Sequence, residues 1–324
     1  MPDFVGETHR RKIQLIAGIT YSISLPKKWV KEHGLKEKSE LLLNEKSDGS
    51  LIISPSGQIT KKEIDTFDLD IDSYKEDASQ ILFVLYYLGS ENINIFSKKS
   101  MPFELKSRIK EALRHMSGTE IIFEDAQRIK IKVLLDKSKV DINQIFYRTA
   151  LLINSSIDII LTNFNTEEIK GNEYEIDRLY HLIAKIILLS HADTSILLSS
   201  NIKNIYYLTS YLLISKKLEN IGDSINNLSL YLSKNQSKIK EIKKILLFFK
   251  ESINSGINFF MNKEKKSFTK TDKEAIRNIG NEIEKLKDLN VIKHLDDILR
   301  FLVDVEEELT NISFYDKLIS EGVL

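Results

Sequence analysis

Apolar residues in this chain follow a short period at first and a helical one later, and the change divides the sequence into three parts. In residues 8–56, Ile13, Leu15, Tyr21, Ile23 and Leu25 mark short β segments. Pro26 then opens a short helix over Lys27–His33, because a missing N–H costs nothing in a first turn, and Gly34 supplies the left-handed stop. Leu41–Leu43 and Leu51–Ile53 read as two strands joined through Ser47-Asp48-Gly49-Ser50, where Asp-Gly signals a hairpin. A unit this small buries little core alone, and pairing with a second copy relieves that deficit.

Residues 64–136 read as a compact α/β segment. Strands are expected at Phe67–Ile71, Ile93–Phe96, Glu120–Phe123 and Ile129–Leu135, and helices at Tyr74–Leu88 and Phe103–Met116. That order places helices on one sheet. No phosphate loop, nucleophile elbow or metal cluster stands out in it. From Asp141 onward no proline occurs and apolar residues recur at three and four. Breaks near Thr166–Gly171, Ala192–Ser200, Lys234–Lys238, Lys263–Thr271 and Asn290 leave about six helices, which divide into two three-helix units. The predicted fold is therefore multidomain: an N-terminal β-hairpin unit over 8–57, a small α/β domain over 64–136 and an all-α domain over 141–316.

Composition narrows the chemistry. There is no cysteine, which removes disulfides, thiolate metal sites and cysteine nucleophiles. Lys+Arg and Asp+Glu both number 47, so any nucleic-acid surface has to be local. No apolar run approaches the roughly 18–20 residues that span a bilayer, and the N-terminus lacks an export signal. A soluble cytoplasmic protein without membrane insertion is expected.

One local surface stands out. Arg10, Arg11, Lys12, Lys27, Lys28 and Lys31 fall between Thr8 and Lys31 with no acidic residue among them. Such a patch neutralises phosphates by releasing counterions even when the whole chain is neutral. Trp29, beside it, is either a base-stacking ring or part of a small core. The runs Arg11-Lys12-Ile13-Gln14, Gly18-Ile19-Thr20-Tyr21-Ser22-Ile23-Ser24-Leu25-Pro26-Lys27-Lys28-Trp29, Gly34-Leu35 and Asp48-Gly49-Ser50-Leu51-Ile52-Ile53 resemble the AbrB/SpoVT domain, especially its archaeal subgroup. That resemblance implies a homodimer of interleaved hairpins holding DNA, with phosphate contacts from Arg10, Arg11, Lys12, Lys27 and Lys28. Thr20-Tyr21 stands where bacterial members carry a loop arginine, so phosphate positioning is a firmer expectation than base reading.

The helical part carries paired carboxylates. Glu219 and Asp223 lie four apart beside the apolar stripe Leu218, Ile221, Ile225 and Leu228, and Glu173 and Asp177 repeat the spacing one helix earlier. Like charges one turn apart repel, and Gly222 beside them weakens the helix by roughly 1 kcal/mol relative to Ala. Two such pairs suit a hard or borderline cation. Aligning Arg300 with Lys216 puts Leu302, Val305, Leu309 and Ile312 on the stripe and Glu307 on Asp223, but Val303 on Glu219. Four histidines, His115, His181, His191 and His294, show no ligand spacing among themselves and read as structural.

Leu218-Glu219-Asn220-Ile221-Gly222-Asp223 and Ile176-Asp177-Arg178-Leu179-Tyr180-His181-Leu182-Ile183 resemble the PhoU family of phosphate-signalling regulators. That resemblance implies two three-helix repeats, regulation of phosphate uptake, and divalent or iron-type metal ions held by Glu173, Asp177, Glu219, Asp223 and Glu307. Together the two likenesses imply an archaeal AbrB–PhoU fusion: not an enzyme, but a regulator of transcription bound to promoters of phosphate-related genes. The second expectation is a protein-interaction regulator of a phosphate transporter or signalling protein, with the N-terminal domain serving only dimerisation.

Overall fold

A computed structural model describes residues 9–45, 51–55, 66–262 and 270–323. The chain divides into two compact units, Met1–Glu63 and Ile64–Leu324.

In the first unit, β1 (Gln14–Ile16) pairs antiparallel with β2 (Thr20–Ser22). Ala17 and Gly18 turn the chain with φ of 51° and 72°, and Ile16 accepts from the Ile19 N–H at 3.2 Å. Positive φ at both central positions matches the right-handed twist of the strands. Helix α1 (Lys27–Glu32) follows Pro26, and Gly34 at φ 60° ends it as its sequence predicts. β3 (Leu41–Glu45) pairs antiparallel with β4 (Leu51–Pro55). The Ser47–Ser50 turn lies outside the described residues. No described side chain in this unit is buried. Ile13, Ile19 and Tyr21 stand 67%, 86% and 68% exposed.

The second unit begins with β5 (Thr66–Asp70), α2 (Ala78–Tyr87), β6 (Asn92–Phe96), α3 (Phe103–Arg114), β7 (Thr119–Glu124) and β8 (Arg128–Val133). The strand order is β5-β6-β8-β7, with β5 and β6 parallel and β8 antiparallel to both its neighbours. Alternation sends Leu69, Ile93, Ile95, Ile129 and Ile131 into one core with Leu82, Leu85 and Ile109 of the two helices. Gly118 turns into β7 at φ 75°, where a Cβ would lie 2.9 Å from the Leu135 Cβ.

Then come α4 (Ile142–Leu161), α5 (Thr166–Ala192), the short α6 (Thr194–Ser199), α7 (Tyr207–Leu232), α8 (Ile239–Asn262), α9 (Lys270–Glu284) and α10 (Leu289–Ser320). The break expected over Thr166–Gly171 falls earlier. Asn165 caps α5 by accepting from the N–H groups of Glu167 and Glu168, and the helix runs on through Gly171. The stripe Leu218, Ile221, Ile225 and Leu228 of α7 is buried, and so is the aligned stripe Leu302, Val305, Leu309 and Ile312 of α10. Gly222 has a packing role: a Cβ there would come 3.1 Å from Ile176 Cδ1 on α5.

The α/β layer and the helical array belong to the same compact unit. Arg178 of α5 donates to the Ser117 hydroxyl at 3.0 Å, and the buried Lys185 ammonium faces the Tyr86 ring at 3.9 Å.

Candidate functional site

Arg10, Arg11 and Lys12 lead into β1, and Lys27 and Lys28 occupy the first turn of α1. All five are exposed. Trp29 is half-buried against His33, with ring centroids 4.8 Å apart. No described part of this unit encloses it.

The carboxylates of the helical domain gather where α5 meets α7 and α3. Heptad-like packing sets Ile176 and Leu179 into the core, which leaves Glu173 and Asp177 at its edge, next to Glu219 and Asp223 on α7. Glu219 is nearly buried, and Lys216 reaches its Oε2 at 2.6 Å while lying 4.9 Å from the Tyr180 ring centre. Burial pushes Glu219 up, against the pull of Lys216. Burial also pushes Glu173 up to about 7, helped by the negative charge of Asp223 and by a hydrogen bond to it. Glu173 and Asp223 thus face each other as two carboxyls whose ionisation is disfavoured, Asp223 also being pushed up by burial.

His115, at the C-terminal end of α3, brings its Nδ1 to 2.5 Å from Asp177 Oδ2. That contact raises the His115 pKa, and although burial opposes the Asp177 charge, His115 together with the nearby His181 and Lys216 keeps Asp177 low. His181 Nε2 lies 3.5 Å from Asp177 Oδ1, its Nδ1 bonds to the Tyr87 hydroxyl, and its ring stacks on Phe83 at 4.1 Å. Burial drives His181 down to about 4, so it is neutral.

His115 and His181, both expected to be structural, build this network around Asp177. His181 stood in view, four residues after Asp177 on the same helix face. His115 had no local signal, since 62 residues of chain separate it from Asp177 (177 − 115).

The expected four-carboxylate metal set is brought together, but its members do not fit an ion as they stand. Glu219 is held by Lys216 and Asp177 by His115, while Glu173 and Asp223 stand together with both pKa values raised. Among the described residues no three His, Asp or Glu side chains are arranged to hold a metal ion. Glu307 stands exposed on α10 and joins no part of the network. Its neighbour Asp304 instead pairs with Lys217 at 2.6 Å.

No helix among the described residues is long and apolar enough to cross a membrane. Residues 14–61 match the family described as "Antidote-toxin recognition MazE, bacterial antitoxin", and residues 142–232 match the PhoU domain. No curated protein and no solved structure matches the chain. The second match ends with α7, so it covers the repeat that holds both carboxylate pairs and stops short of the one with Val303. Both families are regulatory. A MazE/AbrB-type match followed by a PhoU match is consistent with an AbrB–PhoU fusion.

Proposed function

We propose that this protein is a dimeric DNA-binding regulator of phosphate uptake. The observation that carries the reading is the first unit, which joins five exposed cations to a set of apolar side chains that no described residue buries. A second copy would cover Ile13, Ile19 and Tyr21 and double the positive surface offered to a duplex. Arg10, Arg11, Lys12, Lys27 and Lys28 would bind phosphates, and the helical domain would sense phosphate status or hold a partner protein. The PhoU match supports the link to phosphate.

The test is binding of the full chain to the promoter of a phosphate-transporter gene over a salt series. Affinity should fall steeply with salt, and Arg10→Ala with Arg11→Ala should flatten the slope by about one per lost contact. Absence of binding at low salt would refute the DNA reading.

One observation favours the second reading, a protein-interaction regulator of a phosphate transporter. Thr20 and Tyr21, which stand where bacterial AbrB/SpoVT members carry a loop arginine, lie in β2, and the turn before it, Ala17 to Ile19, holds no arginine either. A chain that dimerises through the first unit yet ignores duplex DNA would establish it.

A further inference from the structure

The α/β layer covers only one face of its sheet. Leu69, Ile93, Ile95, Ile129 and Ile131 point to α2 and α3, so the alternate residues form an open face. On β8, the second strand from one edge, Arg128, Lys130 and Lys132 all face outward. Phe96 on β6 is the register partner of Arg128, and Phe123 on β7 is the partner of Lys130. The two rings are 38% and 41% exposed.

The β-bulge between Ile121 and Phe123 turns Phe123 onto this face, where the Arg128 guanidinium and the Lys130 ammonium each stand 5.8 Å from its ring centre. Beside Phe96 lies a shallow depression of about 410 Å³, lined also by Asp68, Asn94, Arg128 and Lys130, in which Asn94 donates to Asp68 at 2.8 Å.

We infer that this open face, with Phe96 and Phe123 flanking Arg128 and Lys130, is a binding platform for single-stranded nucleic acid. A flat strand array spaces side chains to meet successive unpaired bases. Aromatic rings stack on the π-face that every base has, and the outward cations follow the backbone. A closed duplex hides its base faces and leaves the two phenylalanines without a partner, so this surface is separate from the duplex contacts proposed for the first unit.

The experiment uses the full chain and fluorescently labelled twelve-nucleotide oligo-dT and oligo-U, read by anisotropy at low salt. Both should bind, the better one showing whether DNA or RNA is preferred. Phe96→Ala and Phe123→Ala should each weaken binding by about tenfold, while Phe123→Tyr retains it. Lys130→Glu should weaken it at least as much. Promoter-duplex binding should stay unchanged in all four variants, which separates failure here from failure of the reading above. Thermal midpoints equal to wild type show that the variants fold. No binding of either oligomer, or equal affinity in wild type and the phenylalanine variants, overturns the proposal.

Discussion

His115 Nδ1 stands 2.5 Å from Asp177 Oδ2, and this contact joins the end of α3 in the α/β layer to the middle of α5 in the helical array. A carboxylate expected to serve a metal ion instead ties two layers of the fold together. Its environment explains why: Asp177 is mostly screened from water, and an unpaired charge there would be costly.

Asp177→Asn should therefore lower stability by about 1–3 kcal/mol, because it leaves His115 facing a neutral amide. The His115 pKa, raised by Asp177 in the wild type, should fall back in the variant. An NMR titration of the imidazole resonances checks this. An unmoved His115 pKa would show that the two side chains do not interact in solution.

Metal ions should do little to this protein. Lys216 and His115 already stand against Glu219 and Asp177, and Glu173, with its pKa pushed up to about 7, carries a reduced charge beside Asp223. Millimolar Mg²⁺, Mn²⁺, Fe²⁺ or Zn²⁺ should leave the thermal midpoint within about 1 °C, whereas a resident ion would raise it with the logarithm of its concentration. Lys216→Ala, which leaves Glu219 nearly buried without its ammonium, should cost about 1–3 kcal/mol. A metal-dependent rise in the wild-type midpoint would return these carboxylates to the role expected from the sequence.

Lys185 should make stability rise with alkaline pH. Burial presses its pKa down from 10.5 to about 8 in the folded chain, and its ammonium faces the Tyr86 ring rather than a carboxylate. Between these two values the unfolded chain binds more protons than the folded one, so stability increases as pH climbs through the window. Lys185→Met should remove that slope and raise neutral stability by about 1–3 kcal/mol. Urea unfolding at several pH values from neutral to alkaline measures it. The same slope in the variant would show that another group is responsible.

The first unit should drive self-association. Removing residues 1–57 leaves the Ile64–Leu324 unit with both of its cores intact and should weaken the dimer in sedimentation velocity. Persistence of an equally tight dimer would move the interface to the helical half.

Gly118 should not accept a side chain. Its φ of 75° disfavours any L-residue, and a Cβ would lie 3.1 Å from the Leu135 backbone nitrogen, which has little room to yield. Gly118→Ala should destabilise by about 1–3 kcal/mol, as a fall in thermal midpoint will show.

The sequence by itself determined the elements and their inward faces. Local rules suffice for these: alternation for β8, three-and-four spacing for α7 and α10, and Pro26 and Gly34 around α1. It also placed Glu219 and Asp223 beside the α7 stripe and Glu173 and Asp177 at the same spacing one helix earlier. Only the tertiary structure decided what neutralises them. Whether a carboxylate meets a cation, a proton or a metal ion depends on side chains from other elements, and His115 arrives from a different layer of the fold with no mark in the local pattern. Gly222 shows the same limit: as sequence it is a weak point beside a possible site, and only the approach of Ile176 on α5 reveals that close helix packing requires it. Phe96 and Phe123 are likewise ordinary strand residues until pairing through β8 and one bulge set them on the same open face. Periodicity is a property of neighbours along the chain, whereas charge balance and surface chemistry depend on neighbours in space.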